Sequence, residues 1–460
     1  MSVHGPLSVS GGGALEFGGR PPRSVSTAAS TRLGLLALGG VLLAGSLLAV
    51  SAAGTDTLLP QSVRPIPGWL AGPFGSTGID IGSGGAIAVL VLMFAGYAAA
   101  VSLSDRLSPR AVLATIAALN ALVLLAPPLL STDIFSYQAY ARMWVSYGAN
   151  PYLHGPSVIA LDPLYSYVGA RWVTTPSAYG PLFTLISAAV AQASIVTSAF
   201  AFKLAAAAAS VGTVALLWHA ARLRGLNPVR TAVLFGLNPL VVVYGVGGGH
   251  NDMLMLLALA AALWAALARR TRTGGAFLAV SVGLKLTAGL MLPFVVASER
   301  ARGRRRELLL GFVVAGAAIA VATAVAFGTG PLALPGTLAK IQQSGDWHSI
   351  PGFITTRLGL HTIGRVTGYV LGAAFLSATA WLLRRVWRGQ LDWIDGAAWA
   401  TLAMLLTAGS LLPWYGSWLL PLVGLSGDRR LWRAALLFTG VAQLIQLFDY
   451  IPHGSMLAGL

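Results

Sequence analysis

An aspartate that opens a polar stretch directly after a long apolar run is the first residue in this sequence placed for chemistry. Residues 111–130 are almost unbroken hydrocarbon and give way to STDIFSYQAYARMWVSYGANPYLHGP (131–156), whose Asp133 falls just beyond the run. At the end of a membrane helix a carboxylate reaches both water and the bilayer edge, a good position for chemistry on a lipid-linked substrate. In the residues that follow, Phe135, Tyr137, Tyr140, Met143, Trp144 and Tyr147 are interleaved with Ser136, Gln138 and Arg142. That pattern predicts an amphipathic helix along the membrane surface, apolar face down, with Asp133 held over the lipid interface. An interfacial anchor helix with a capping aspartate fits the same spacing.

Five other stretches carry residue types suited to binding. SAYGPLF (177–183) enters a helix through Gly-Pro with Tyr179 just before it, which reads as a helix start or as a substrate contact. GVGGGHND (245–252) sets His250, Asn251 and Asp252 behind three glycines at a helix start. Glycines admit a close ligand, and a helix N-terminus offers N–H groups to an anion or sugar hydroxyl; a plain capping role is the alternative. Lys285, in SVGLKLTAG, is an ammonium inside an apolar hairpin, for which a phosphate oxygen is the obvious partner and snorkelling the competing account. Farther on, SGDWHSIPGFITTRLGL (344–360) brings Asp346, Trp347, His348 and Arg357 close in sequence, a set that can donate to a phosphate and stack on a sugar face, or form a solvated loop. Trp414, Tyr415 and Trp418 in LLPWYGSWLLP make an outer aromatic belt first and a sugar platform second. No HExxH-type pattern or second ligand at helical spacing supports His348 as a metal ligand, and no Lys-Ser/Thr follows the glycines as a nucleotide loop requires. Neither a metal nor another cofactor is expected.

Composition narrows the class. Of 460 residues 56% are hydrophobic and 10% charged, with a mean hydropathy of +0.74, values that describe a polytopic membrane protein. The formal net charge of +16 would point to acidic partners in a soluble chain, but here the arginines are topological and nucleic acid is not an expected partner. The absence of cysteine excludes disulfides and thiol chemistry.

The elements that must position these residues are helices. About thirteen apolar runs are suited to transmembrane helices, several shorter than a perpendicular span, and the fold expected is all-α with re-entrant or juxtamembrane helices in the first long external loop. Residues 1–31, rich in Gly, Ser and Pro, read as a disordered cytoplasmic tail, and 32–460 as one transmembrane domain. Arginine clusters around 106–110, 222–230, 269–272, 300–306, 384–388 and 429–433 place those loops inside with the N-terminus. That count makes 181–197 a helix that dips and returns, and 275–296 a pair of short helices meeting near Lys285. Loops 131–200 and 328–365 then form one external face, which carries Asp133.

Asp133 directly after a helix in TDIFSYQAYARMWVSYGANPY, the YGPL segment, GHND, the intramembrane lysine hairpin and the late PWY together resemble the GT-C glycosyltransferases. The likeness is strongest to actinobacterial polyprenyl-phosphomannose-dependent α-1,6-mannosyltransferases of lipomannan core biosynthesis. The resemblance implies a multi-spanning helical fold in the bacterial plasma membrane, an active site on the outer face, and Asp133 as general base. It also implies a polyprenyl-phosphate-mannose donor and a lipid-linked mannan acceptor. A single carboxylate at 133, with no acidic pair, argues against a metal-dependent variant. The donor phosphate would be met by Lys285, His348, Arg357 and Arg142. Sugar and acceptor would be met by Tyr137, Tyr179, His250, Asn251, Asp252, Trp347, Trp414 and Tyr415. A transporter or flippase of lipid-linked saccharide, a scaffold subunit, or an enzyme using another polyprenyl-phosphate sugar remain as alternatives. The nearly bare Ala, Leu and Val of the central runs disfavour transport.

Overall fold

A computed structural model describes residues 27–54, 58–75, 77–344 and 348–445. Among them every regular element is helical: α1 Thr27–Ser51, α2 Gly82–Ser102, α3 Pro109–Leu125, α4 Asp133–Val145, α5 Pro181–Ser187, α6 Ile195–Leu223, α7 Pro228–Gly236, α8 Asp252–Leu267, α9 Thr271–Leu284, α10 Met291–Ser298, α11 Arg302–Phe327, α12 Leu334–Ser344, α13 Ile350–Thr356, α14 His361–Trp387, α15 Trp393–Thr407, α16 Leu420–Gly424 and α17 Arg429–Ile445. Most of the expected tail lies outside the described residues, while 27–31 are already helical.

Five helices, in α1, α2, α6, α11 and α14, are long and apolar enough to cross a bilayer. A sixth span results if α7 is joined to the π-helical turn Leu240–Val246 across a 47° bend. The bend falls where Pro239 offers no N–H and the Asn238 carboxamide accepts from Leu240 N instead, at 2.9 Å. Helices α3, α8 and the pairs 181–190 and 286–298 are apolar but shorter. The chain is therefore a helical membrane protein in which full-length and short apolar helices are mixed.

Local signals start the helices where the sequence puts them. Ser108 accepts from Ala111 N ahead of Pro109, Ser194 accepts from Thr197 N, and Asp392 accepts from Ile394 N. The centre is built by α6, α7, the π-helical turn and α8, whose residues 232–246 are buried almost without a break. By contrast α11 and α14 leave most of their apolar surface uncovered, the side a membrane helix turns to lipid.

Three features of the segments expected to be external depart from expectation or refine it. The helix after Asp133 does not lie on a surface: Ile134 through Ala141 and Met143 are all buried in protein, so its polar positions face neighbouring helices rather than headgroups. Segment 181–197 is a short helix followed by a turn before α6, in keeping with a dip and return. Loop 328–365 is largely helical, and the apolar side of α12, through Leu334 and Leu338, packs on the small cluster of Tyr152 and Phe327.

Candidate active site

Asp133 is the first residue of α4, and the chain reaches it through a sharp bend. Leu130 takes φ 56°, uncommon for a residue with a side chain, and its N–H donates to Leu58 O at 2.9 Å. Leu129 N–H donates to Gly247 O at 3.1 Å, so this bend is docked on the glycines of GVGGGHND. A buried lysine secures it from behind: Lys203 on α6 donates from Nζ to the carbonyls of Ala126 and of Pro127, the latter at 3.1 Å. Cations at a helix C-terminus meet its orphan carbonyls, and here that helix is α3, which leads to Asp133.

Lys285 is brought to the same place from the other side. It sits at φ −156°, ψ 121° between the end of α9 and a 3-10 turn, as the expected meeting of two short helices requires. Gly180 of YGPL presses on that break: its N–H donates to Leu284 O at 3.2 Å, and a Cβ there would lie 2.2 Å from Gly283 O. Only glycine permits this approach.

The Lys285 ammonium is held in a cradle. It donates to Asp252 Oδ1 at 2.8 Å and lies 4.7 Å from the Tyr415 ring centre and 4.9 Å from that of Trp418. Those two rings stack at 4.3 Å, and Trp418 Nε1 donates to the same Asp252 oxygen at 2.5 Å. Asp252 has no exposed side-chain surface, so the pair is a buried ion pair aimed by aromatic walls.

Asp133 and Lys285 line one cavity of about 350 Å³, together with Trp172, Tyr179, Thr287, Gln342, Tyr415 and Trp418. Apart from Thr407 and Ser410 its remaining wall is apolar, drawn chiefly from Leu338 and Ile341 of α12, Phe375 of α14, and Met404, Leu405 and Leu412 in and after α15. A carboxylate and an ammonium thus share a water-accessible pocket flanked by a hydrocarbon slot.

Behind the carboxylate, His250 Nδ1 lies 3.4 Å from Asp133 Oδ2, with no exposed side-chain surface. The imidazole stacks on Trp414 with ring centres 3.8 Å apart. Tyr137 forms a second layer: its hydroxyl donates to Asn251 Oδ1 at 3.3 Å and accepts from Asn251 N at 3.2 Å, while its ring meets Tyr179 edge-on at 4.7 Å. Burial, with the Asp133 charge adding to it, raises the Tyr140 and Tyr179 phenols above their ordinary range, so both stay protonated donors.

Of the residues singled out in the sequence, the fold therefore gathers Asp133, Tyr179, Lys285 and Tyr415 on the cavity wall, with Asp252 directly behind Lys285 and His250, Asn251, Tyr137 and Trp414 behind Asp133. The expectation that Tyr137, His250, Asn251, Asp252 and Trp414 touch sugar is corrected: at 3% exposure or less all five are interior. Arg142 is likewise corrected as a phosphate ligand, because its guanidinium is clamped to Asp162 Oδ1 at 2.7 Å and to Ala193 O at 3.0 Å. His348 opens onto a different, apolar recess beside α15 and α17, and Arg357 is exposed and absent from the cavity wall. Trp347 and Asp346 lie outside the described residues. Asn150-Pro151-Tyr152 is a staple: Asn150 Nδ2 donates to Phe327 O at 2.7 Å and the Tyr152 hydroxyl to Thr184 Oγ1, also at 2.7 Å.

Sequence reasoning missed Trp172, Thr287 and Gln342 as wall residues and read Trp418 as a belt aromatic first and a sugar platform second, where the structure puts it on the cavity wall. Nothing local marked Gln342. Among the described residues no group of three or more His, Cys, Asp or Glu side chains stands together as a metal site.

Comparison with known proteins meets this geometry. The family model for the Alpha-(1->6)-mannopyranosyltransferase N-terminal domain matches residues 32–300. The chain belongs to that family. An MptB C-terminal domain model matches 348–459, so Asp133, His250, Asp252 and Lys285 fall in the first match and Trp414, Tyr415 and Trp418 in the second. The chain is 30% identical to Alpha-(1->6)-mannopyranosyltransferase A of Mycobacterium tuberculosis over 367 residues, 72% of this chain and 68% of that one. It is 27% identical to Alpha-(1->6)-mannopyranosyltransferase B of Corynebacterium glutamicum over 341 residues, 64% of this chain and 55% of the relative. This mannopyranosyltransferase-family chain is a membrane glycosyltransferase, and residues of both matched regions line the cavity.

Proposed function

We propose that the protein transfers a mannosyl residue from polyprenyl-phosphate-mannose to a mannan or lipoglycan acceptor, with inversion, on the outer face of the bacterial plasma membrane. One observation carries the reading: Asp133 and Lys285 line the same cavity, and most of the rest of its wall is apolar. Asp133 takes the acceptor hydroxyl proton as that oxygen attacks the anomeric carbon. The bond from that carbon to the phosphate oxygen breaks, and the lipid phosphate departs toward the Lys285 ammonium. A glycosyl phosphate brings its own leaving group, so one base and one cation are sufficient. In-line attack on a β-linked mannosyl phosphate gives an α-mannoside, and the names of the relatives favour the 1,6 linkage. The isoprenoid chain follows Leu338, Ile341, Phe375, Met404 and Leu405 into the bilayer.

A second recess of about 660 Å³ adjoins the first across Gln342, whose Oε1 accepts from Gly409 N at 2.8 Å and Ser410 N at 3.2 Å. Its wall includes Gln343, Thr355, Thr356, His361, Arg365 and Tyr369, a hydroxyl- and amide-bearing surface with an aromatic ring, suited to an acceptor glycan. The distribution of arginine clusters supports an outer placement of this side, with the N-terminus cytoplasmic and about thirteen transmembrane helices, the short ones included.

The test is transfer by the purified full-length chain from polyprenyl-phosphomannose to a mannoside acceptor. Asp133→Asn keeps the shape and lowers kcat by about 10²–10⁴-fold at unchanged folding. Full activity in that variant removes Asp133 as base, and transfer from a different polyprenyl-phosphate sugar alone removes mannose. Flipping of a lipid-linked sugar by reconstituted protein without transfer removes the enzymatic reading.

A further inference from the structure

We infer that His250 and Trp414 form a positioning unit that orients the Asp133 carboxylate from inside the protein; this rests on Asp133 acting as the base. His250 follows Gly249, whose φ of +66° turns the chain at the end of the glycine run. Three contacts then fix its ring. One face stacks on Trp414 at 3.8 Å with 27° between planes. One edge abuts Gly248, where a Cβ would stand 2.8 Å from His250 Nε2 and Cδ2. The remaining nitrogen, Nδ1, points at Asp133 Oδ2 across 3.4 Å.

Neither imidazole nitrogen has a hydrogen-bond partner among the described residues, and both are buried. A buried ring with a free N–H is costly, and the carboxylate is the group within reach. The geometry assigns the proton to Nδ1, donating to Asp133, with Nε2 left bare against Gly248. Separations of this kind shorten when a substrate closes the site. With Oδ2 committed to His250, Oδ1 is the oxygen left for the acceptor hydroxyl.

The other groups around the pair do not supply this contact. Tyr137 is engaged with Asn251, Asp252 with Lys285 and Trp418, and the Lys203 ammonium with the carbonyls that end α3. The stack also crosses the chain: Trp414 comes from the second matched region and His250 from the first. The late PWY motif therefore serves two sides of the site, Tyr415 against Lys285 and Trp414 against His250. That is a positioning role for Trp414, not a sugar platform.

The experiment compares His250→Asn, His250→Gln, Trp414→Phe, Trp414→Ala and Asp133→Asn in the full-length protein. Each is assayed for kcat and donor KM and normalised to folded, monodisperse protein. Asn places an amide nitrogen where Nδ1 stands, whereas Gln moves it toward the Nε2 position. The expected result is that His250→Asn stays within a few-fold of the parent while His250→Gln loses at least about tenfold in kcat, with donor KM unchanged. Trp414→Phe keeps a ring on the imidazole and keeps activity, and Trp414→Ala follows His250→Gln. Equal kcat for the Asn and Gln variants, or losses in donor KM alone, overturns the inference. An active Asp133→Asn instead overturns the assignment of the base, so the two failures are told apart.

Discussion

The buried pair of Lys285 and Asp252 separates a structural from a catalytic role, because the two respond oppositely to a double substitution. Lys285→Met removes the cation and leaves Asp252, with no exposed side-chain surface, holding a charge matched only by the Trp418 N–H. An uncompensated buried carboxylate costs about 3–5 kcal/mol of stability. Asp252→Asn in the same chain removes that charge and keeps an oxygen for Trp418, so the double variant recovers most of the loss. Activity does not recover, since the ammonium that meets the departing phosphate is still missing. Loss of a preorganised group of this kind lowers kcat by about 10²–10³-fold. Thermal unfolding in detergent and mannosyl transfer are measured on the parent, both single variants and the double. A double variant that is stable and within a few-fold of parental kcat refutes Lys285 as the phosphate ligand and makes the pair structural.

Three further outcomes follow from the geometry. Arg142→Met takes the cation from the nearly buried Asp162, which keeps the Tyr147 O–H and Leu164 N–H, and destabilises the protein by about 1–3 kcal/mol, yet leaves kcat per folded molecule unchanged, since Arg142 is absent from the cavity; thermal unfolding and the transfer assay check the two halves. Gly180→Ala sets a Cβ against the backbone of Gly283 and Leu284, shifts the Lys285 break and lowers kcat by about tenfold or more, readable with donor KM in steady-state kinetics. Tyr369→Ala, in the second recess, raises acceptor KM by about threefold to tenfold through loss of one aromatic contact and leaves donor KM alone, measured with mannosides of increasing length.

How much of this was legible in the sequence depended on whether the signal was local. The helix break at Lys285, the helix start after Gly180 and the glycine turn before His250 each rest on residues within a few positions, and each appears in the structure. The helix of 133–145 was misread because its mixture of aromatics and polar side chains looks the same whether the polar face meets headgroups or other helices. Which of the two holds is set by what packs around it, and here α5, α6 and the turns of 156–190 enclose it. Arg142, Lys285, His348 and Arg357 had equal standing in the sequence as phosphate ligands, and the fold places only Lys285 of them on the cavity wall. Arg142 is consumed by a carboxylate distant in sequence, and Lys203 by the carbonyls of another helix.

The sequence alone determined that the chain is a helical membrane protein and that Asp133 and Lys285 are unusual. Charges beside or within hydrocarbon are expensive wherever the chain goes, and composition and periodicity record that cost directly. Only the tertiary structure decided which unusual residues meet. Asp133, His250, Lys285 and Tyr415 are separated by long stretches of chain, and their convergence depends on helix packing and on backbone approaches such as that of Gly180 to Leu284. Packing also turned Trp414 and His250 inward and left Tyr415 on the cavity, because a ring's identity fixes what it can bind while its neighbours fix what it can reach.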